Sequence, residues 1–173
     1  MSFLPIPDYA FRDVTRITPA FLTGQGIRFL LLDLDNTLAP YGVQAPAEAV
    51  RDWAAAIRKA GITPFLVSNN RGRRPELFSA ALEMDYVKRA GKPGVRGMRA
   101  AMERLGAAPE ETALAGDQIY TDAVAAKRCG VRMLLVRPIR LSNPLLAVRY
   151  ALEMPFRLPV RKINTEEDPH AEH

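Results

Sequence analysis

The chain has 173 residues, a length that suits one globular domain with its own core. Hydrophobic residues make up 48% and charged residues 25%, and no apolar run reaches the ~20 residues that span a bilayer. Cys129 is the single cysteine and both histidines lie in the last four residues, which argues against an internal disulfide and a zinc site. The first residues lack the basic start of a signal peptide, so we expect a cytoplasmic protein.

The net charge is +5, and the excess is concentrated in one segment near the C-terminus. Residues 137–162 hold six basic residues and a single acid, Glu153. Such a surface favours anionic partners, although a solvated face that keeps the protein in solution is the simpler interpretation. Residues 163–173 are acidic, and we expect them to form a disordered tail.

Short apolar runs alternate with helical patterns along the chain. The predicted elements are strand 28–33, helix 46–60, strand 62–67, helix 74–82, strand 86–87, helix 94–105, strand 112–115, helix 119–128, strand 131–136 and helix 144–153. Strands and helices that alternate at this spacing require parallel strands with right-handed crossovers. We therefore predict a three-layer α/β/α fold of the Rossmann-like kind, with about five parallel strands. It forms a single domain over residues 1–162, of which residues 1–26 are an N-terminal extension.

Two carboxylates directly follow the first predicted strand, in the run Asp-Leu-Asp-Asn-Thr-Leu that begins at Asp33. Because strand side chains alternate, Asp33 and Asp35 can face the same way while Leu34 turns to the core. Crowded carboxylates at the rim of a buried strand favour a cation, and Mg²⁺ prefers such oxygen ligands. A carboxylate can also attack phosphorus, and a second one can protonate a leaving group. An isolated pair of this spacing is more often a turn cap.

Polar residues also follow the second predicted strand. Ser68, Asn69 and Asn70 place a hydroxyl and two amides where they can hold phosphate oxygens, although such a run is also typical of a loop. Lys92 precedes Pro93, which favours extended backbone ahead of a helix, and its ammonium group can offset phosphate charge. A lone lysine is nearly always a surface residue. Each of these features is therefore weak when taken alone.

A further acidic pair follows strand 112–115. Asp117 begins the run Asp-Gln-Ile-Tyr-Thr-Asp, which ends at Asp122 about one helical turn later. Asp117 can complete a metal site with Asp122 in support, or it can simply cap the helix. All of these polar groups lie at predicted strand ends or in loops at one edge of the sheet, where α/β sheets bind ligands. Their coincidence predicts an active site there.

Together these motifs resemble the haloacid dehalogenase (HAD) superfamily of phosphohydrolases. The resemblance lies in Asp-Leu-Asp-Asn-Thr-Leu, Ser68, Lys92 and Gly-Asp-x-x-x-x-Asp, which occur in that order within residues 27–138. Val-Ser-Asn-Asn, Ala-Gly-Lys-Pro and Gly-Asp-Gln-Ile-x-Thr-Asp resemble more narrowly its YqeG-like branch, subfamily IIIA. That branch is similar to the mitochondrial phosphatidylglycerophosphatases.

The resemblance implies a role for each matched residue. Asp33 is expected to be the nucleophile and a ligand of Mg²⁺. Asp35 is expected to be the general acid and base, and to bind the metal through its backbone carbonyl. The remaining matched residues are expected to bind ligands: the metal by Asp117 with Asp122 behind it, and the phosphoryl group by Ser68 and Lys92.

HAD enzymes often carry a cap domain that selects small substrates, and the chain has no room for one. Residues 38–46 are too few, and residues 71–92 hold only a helix and a short strand. We therefore expect an open, capless site that suits a large substrate. Arg71, Arg73 and Arg74 can contact a second anionic group there, or they are ordinary solvated arginines. An open site also leaves room for a second copy of the chain as cover.

The sequence thus predicts a Mg²⁺-dependent phosphomonoester hydrolase that acts through an aspartyl-phosphate on Asp33. Two alternatives stay open: a phosphate-dependent protein-binding module with this fold, and a soluble small-metabolite phosphatase. The resemblance and the basic segment 137–162 favour a phospholipid phosphate, such as phosphatidylglycerophosphate, as substrate. They also favour peripheral contact with an anionic membrane at its inner face. Nucleic acid is not expected as a partner.

Overall fold

The computed structural model describes residues 4–141 and 144–162 of the chain. Its strands are β1 (Tyr9–Phe11), β2 (Phe29–Leu32), β3 (Thr63–Val67), β4 (Asp85–Val87), β5 (Thr112–Gly116), β6 (Arg132–Val136) and β7 (Arg161–Lys162). They form one sheet in the order β4-β3-β2-β5-β6-β1-β7, and every pairing is parallel. The predicted α/β fold with a parallel sheet is confirmed.

Helices cover both faces of this sheet. They are α1 (Pro19–Gly24), α2 (Glu48–Lys59), α3 (Arg74–Leu82), α4 (Arg96–Leu105), α5 (Val124–Cys129) and α6 (Pro144–Arg157). Leu22, Trp53 and Phe78 bring α1, α2 and α3 into one buried apolar cluster, and Met98 and Ala126 bring α4 and α5 into the other. Among the described residues, no helix is long and apolar enough to cross a bilayer.

The central strand β2 contributes to both apolar layers. Leu30 and Leu32 belong to the cluster under α1, α2 and α3, and Leu31 belongs to the cluster under α4 and α5. All three side chains are fully buried. A parallel strand covered on both faces reads as a continuous apolar run because its alternating side chains both meet a hydrophobic layer. The leucine run therefore places its carboxyl end inside the sheet, between β3 and β5.

The two strands at one edge of the sheet were not predicted. β1 pairs with β6, and the adjoining Asp8 accepts a 2.8 Å hydrogen bond on Oδ2 from the backbone N–H of Met133. β7 adds to the outer side of β1. Each is only two or three residues long, which is too short for a periodic pattern. Part of the expected N-terminal extension, residues 1–26, thus supplies a strand and a helix to the fold.

Several helix limits differ from the predicted ones. α2 begins at Glu48 rather than at 46, α4 begins at Arg96 rather than at 94, and α6 continues to Arg157 rather than ending at 153. The predicted helix 119–128 opens with a π-helical turn over Ile119–Ala123 before α5 begins. Proline and glycine mark helix ends only to within a residue or two. The prediction of a disordered tail over 163–173 lies outside the described residues.

A close backbone contact fixes the position of α4 against the loop before Lys92. A Cβ atom added at Gly97 would lie 2.5 Å from the Cα and Cβ atoms of Ala90, and the Gly97 N–H donates to the Ala90 carbonyl at 3.0 Å. Only glycine allows this approach, because any side chain would overlap the backbone of the loop. The contact fixes the backbone at Ala90, which lies two residues before Lys92.

Gly97→Ala should therefore destabilise the protein by about 1–3 kcal/mol through overpacking, although alanine favours a helix by about 1 kcal/mol. Urea denaturation would measure the change in the free energy of unfolding. Gly24→Ala in α1 is the matched control, since nothing lies within 4 Å of its added Cβ. A Gly97→Ala variant as stable as the parent protein would show that α4 can move away from the loop.

Candidate active site

Three buried carboxylates and one buried ammonium group meet at the carboxyl edge of the sheet. One carboxylate oxygen from each of Asp33, Asp117 and Asp122 lies within 4.8 Å of the others. Lys92 Nζ lies 2.6 Å from Asp33 Oδ1 and 2.7 Å from Asp122 Oδ1. Each of these four residues is at most 6% exposed. The structure thus brings together acidic groups from two strand ends and a lysine from a separate loop.

The turn after β2 positions Asp33 beside Asp117. The Asp33 N–H donates to the Ala115 carbonyl of β5 at 2.9 Å, which extends the sheet pairing into the site. Asn36 then takes a left-handed conformation with φ 62°, which asparagine adopts more readily than most residues. The turn brings Thr37 Oγ1 to 3.4 Å from Asp33 Oδ2 and 3.5 Å from Asp117 Oδ1. The two carboxylates therefore share a hydroxyl neighbour.

The loop after β3 positions Lys92 through its backbone. Asn69 Nδ2 donates to the Lys92 carbonyl at 2.9 Å, and the Lys92 N–H donates to Asn69 Oδ1 at 2.8 Å. The Ala90 N–H donates to the Ser68 carbonyl at 3.0 Å. The Asn69 amide, from which the sequence predicted a phosphate contact, is thus engaged at both ends with Lys92. Ser68 is fully buried, and its Oγ accepts a hydrogen bond from the Asn70 N–H at 3.1 Å.

Asp122 enters the site because β5 ends in glycine. A Cβ atom at Gly116 would lie 2.5 Å from Asp122 Oδ2, so only glycine leaves room for this carboxylate. The Gln118 N–H also donates to Asp122 Oδ2 at 3.2 Å. Asp122 is 1% exposed and belongs to the cluster itself. It lies beside Asp33 and Asp117, although the sequence predicted it only as a support behind Asp117.

The electrostatics of the cluster favour an additional cation. Burial, opposed by the charge of Lys92, raises the pKa of Asp33 from its ordinary 3.8 to about 6. Burial and then the charges of Asp33 and Asp122 raise the pKa of Asp117 well above its usual range. Burial disfavours the charge on Lys92, but Asp122 and Asp33 outweigh that effect and raise its pKa. Three carboxylates against one ammonium leave an excess of negative charge that a divalent cation would compensate.

A divalent cation therefore fits this donor set. Carboxylate oxygens are the ligands that Mg²⁺ takes, and it usually keeps several waters and substrate oxygens beside one or two of them. Asp33 and Asp117 can bind such an ion directly, and Asp122 contributes its charge while paired with Lys92. The carboxylate of Asp35 is not part of this cluster.

Asp35 is held by two other side chains. Arg74 Nη1 forms an ion pair with Asp35 Oδ1, and Asn70 Nδ2 donates to Asp35 Oδ2 at 3.2 Å. Arg74 also donates to the backbone carbonyls of Val43 and Pro40, at 2.7 and 3.0 Å, and is 8% exposed. Arg74 thus ties the general acid predicted from the sequence to the loop after the first motif. Asn70 and Arg74 were predicted from the sequence as possible substrate contacts. In the structure both are instead engaged with Asp35.

The other two arginines predicted as substrate contacts, Arg71 and Arg73, are exposed. Sequence reasoning missed Tyr41, which lies in the short segment after the first motif. Its hydroxyl is 3.4 Å from Gln118 Nε2. Partial burial raises its pKa, and the negative charges of Asp117, Asp35 and Asp33 add to that effect. Its position directly after the first motif is the signal that could have identified it.

Sequence reasoning also missed two residues of α6. Glu153 and Arg157 are buried and contact the backbone around Asp117. The available signal was Glu153 itself, which is the single acid within the basic segment 137–162.

Comparisons with known proteins found relatives in sequence and in fold. A family model described as HAD-hydrolase-like matches residues 89–138. The probable phosphatase YqeG of Bacillus subtilis is 30% identical over 138 residues, which cover 80% of each chain. The chloroplastic phosphatidylglycerophosphate phosphatase 1 of Chlamydomonas reinhardtii is 24% identical over 149 residues, 81% of this chain and 55% of the relative. The cobalt-bound deoxy-D-mannose-octulosonate 8-phosphate phosphatase of Haemophilus influenzae shares the fold, with TM-score 0.53 and 19% identity over 64% of this chain and 69% of that one.

In the metal-free protein, Asp33→Asn should raise the free energy of unfolding at pH 8 and change it little near pH 4. The folded state holds the Asp33 proton more tightly than the unfolded state, with a pKa of about 6 against 3.8. Ionised Asp33 therefore lowers stability as the pH rises from 4 through 6, by about 2–3 kcal/mol at full ionisation, and the amide avoids this loss.

Urea denaturation with EDTA between pH 4 and pH 8 would measure this difference. Asp52→Asn on the exposed side of α2 is the control for the loss of one negative charge. A difference between Asp33→Asn and the parent protein that did not grow with pH would contradict the electrostatic account of the cluster.

Proposed function

This chain belongs to the HAD-like hydrolases and is a phosphatase of that family, and from this we propose that it hydrolyses phosphate monoesters through a phosphoryl group carried on Asp33. Mg²⁺ is the proposed cofactor. The observation that carries the proposal is the buried cluster of Asp33, Asp117 and Asp122 around Lys92 at the carboxyl edge of the sheet. Its excess negative charge fits a divalent cation, and its lysine fits a phosphoryl oxygen.

In the first step a carboxylate oxygen of Asp33 attacks phosphorus, and the bond from phosphorus to the ester oxygen breaks. The leaving alkoxide takes a proton from Asp35, which gives the alcohol and an acyl phosphate on Asp33. Lys92 lies 2.6 Å from Asp33 Oδ1, so its ammonium group is in place to hold an oxygen of the incoming phosphoryl group. Ser68, buried at the end of β3, is proposed as a second phosphoryl contact. A bound Mg²⁺ would offset the negative charge that the carboxylates and the phosphoryl group bring together.

In the second step water attacks phosphorus, gives its proton to the Asp35 carboxylate and releases phosphate, which restores Asp33. Both oxygens of Asp35 are engaged in the structure, one with Arg74 and one with Asn70. Asp35 must release at least one of these contacts to reach a leaving group or a water. Arg74 and Asn70 are therefore proposed to set the resting position of the general acid rather than to bind substrate.

We propose a phospholipid with a terminal phosphate as the substrate. Phosphatidylglycerophosphate is the example suggested by the name of the Chlamydomonas relative. Residues 38–46 form no domain over the site, so a headgroup that protrudes from a bilayer has access to it. Beside α6 lies a groove of about 350 Å³, lined by the cationic Arg12 and Arg137 and by apolar Phe11, Met154 and Leu158. Arg157 also lines the groove and donates to the Asp117 carbonyl, so the groove adjoins the site, and it is proposed to take the remaining anionic and apolar parts of such a lipid.

The outer surface of α6 supports peripheral contact with an anionic membrane. Leu145, Val148 and Leu152 are 73%, 57% and 62% exposed, and their spacing places them on one side of the helix. Basic residues near an anionic surface contribute about 1 kcal/mol each, so the segment 137–162 adds electrostatic attraction to this apolar surface. The two terms together suit reversible attachment rather than permanent anchoring.

The proposed chemistry predicts that the purified chain hydrolyses p-nitrophenyl phosphate with Mg²⁺ and loses this activity in EDTA. Asp33→Asn should lower kcat by about 10³-fold or more while the protein stays folded, because it removes the attacking oxygen. Asp52→Asn is the control and should keep full activity. Beryllium fluoride should form an adduct on Asp33 that intact-protein or peptide mass spectrometry locates. Turnover that persists in EDTA or in pure Asp33→Asn would overturn the mechanism.

The membrane proposal predicts that the chain floats with vesicles rich in phosphatidylglycerol and is released as salt shortens the Debye length. Val148→Ser with Leu152→Ser should weaken this binding roughly tenfold or more, since two exposed apolar side chains no longer enter the bilayer. Hydrolysis of p-nitrophenyl phosphate should be unchanged in that variant. Failure of the parent chain to float even at low salt would refute membrane contact and leave the phosphatase proposal standing.

A further inference from the structure

The inner side of α6 carries a buried ion pair. Glu153 is 1% exposed and Arg157 is 9% exposed, and they are one helical turn apart. Arg157 Nη2 lies 2.5 Å and Nε 3.2 Å from Glu153 Oε2. The Tyr150 ring covers the guanidinium group, with its centroid 4.3 Å from Arg157 Cζ. The pair is thus fixed in place by packing as well as by charge.

This ion pair contacts the backbone on both sides of Gln118. Arg157 Nη2 donates a hydrogen bond to the carbonyl of Asp117. Glu153 Oε1 accepts hydrogen bonds from the N–H of Ile119 at 3.0 Å and from the N–H of Tyr120 at 3.4 Å. These N–H groups open the π-helical turn, where first-turn amides have no partner within their own helix. α6 therefore supplies the polar partners of the Asp117 carbonyl and of the first two amides in the turn that separates Asp117 from Asp122.

The same helix exposes its other side to solvent. Leu145, Val148 and Leu152 are more than half exposed, so α6 is attached to the rest of the protein mainly through its inner side. A buried ion pair adds little net stability compared with apolar residues of similar size, because both charges lose their hydration. What such a pair can provide is a defined position for the groups it contacts. Here those groups are the backbone atoms of a candidate metal ligand.

We infer that Glu153 and Arg157 are positioning residues that hold the Asp117–Tyr120 backbone in the shape that binds a divalent cation. This inference rests on the proposed metal site. Neither side chain touches the reacting groups; both act through the carbonyl of Asp117 and the amides after it. Because coupling between two parts of a protein is reciprocal, metal bound at Asp33 and Asp117 must in turn strengthen the contacts of α6 with this turn.

The test is the affinity for Mn²⁺, measured from the EPR signal of the free ion without reference to activity. Glu153 also pairs with Arg149, whose Nε lies 3.4 Å from Glu153 Oε1. Glu153→Gln alone would therefore take the carboxylate partner from the buried Arg157, which costs about 3–5 kcal/mol and threatens folding. The double variant Glu153→Gln with Arg157→Gln removes both charges at once. Its Kd for Mn²⁺ should rise about tenfold or more, while kcat at saturating metal changes much less. Val148→Ala, on the exposed side of the same helix, should bind Mn²⁺ as the parent chain does.

Thermal unfolding in EDTA shows whether the double variant is folded. A folded double variant that binds Mn²⁺ as tightly as the parent chain would overturn the inference. A parent chain that binds no Mn²⁺ would instead refute the metal site of the proposed function.

Hydrogen exchange on the parent chain gives a second, independent decision that needs no variant. Saturating Mg²⁺ should slow exchange of the Ile119 and Tyr120 amides, because metal binding and the Glu153 contacts stabilise one another. The amides of α2, on the opposite side of the sheet, serve as the internal control. If the double variant fails to fold, this measurement decides: unchanged exchange at Ile119 and Tyr120 under metal saturation would overturn the inference.

Discussion

The ion pairs of Lys92 with Asp33 and Asp122 join the polar groups that three separate segments bring to the carboxyl edge of the sheet. Three carboxylates within 4.8 Å of one another would repel each other strongly at a buried position. A single ammonium group, 2.6 Å from one carboxylate and 2.7 Å from another, compensates part of that charge. The remaining negative charge is what makes the site suitable for a cation and a phosphoryl group together. The candidate active site thus carries a buried excess of negative charge.

The surrounding fold keeps this imbalance in place through backbone contacts rather than through further charges. Asn69 holds both the N–H and the carbonyl of Lys92, which fixes the backbone from which the lysine side chain extends to Asp33. Gly116 leaves space for Asp122, and Gly97 lets α4 pack directly on the loop before Lys92. Each contact is short and depends on the absence or the exact length of a side chain. Substitutions that look mild at these positions are therefore expected to alter the site.

Helix α6 contributes to the site in addition to the motifs in the middle of the chain. The inner side of α6 is polar and forms hydrogen bonds with the backbone at Asp117 and Ile119. Its outer side is apolar and faces solvent. The segment that carries the excess positive charge therefore has two separate tasks in our proposals. Its inner side positions a metal ligand, and its outer surface meets the membrane. Removing the whole segment would abolish both proposed roles at once, whereas substitutions on one side of the helix affect one role at a time.

The sequence predicts five of the seven strands found in the described residues, their parallel arrangement and the order of the polar motifs at the carboxyl edge of the sheet. Those features are local: an apolar run such as Leu30–Leu32 and a polar group directly after it are neighbours in the chain as well as in space. The family resemblance rested on the same short motifs. This is why Asp33, Lys92, Asp117 and Asp122 could be named without coordinates, and why the structure finds them together.

The side chains that support that edge come from segments far away in the chain. Arg74 pairs with Asp35 from 39 residues away, Arg157 reaches Asp117 from 40 residues away, and Asp8 bonds Met133 from 125 residues away. β1 and β7 are likewise defined by the strands they pair with. Such partners leave no periodic signal, because an arginine or a glutamate on a helix has the same local preferences whether it meets solvent or a buried backbone. Their roles arise from packing, which the sequence specifies only through the complete fold.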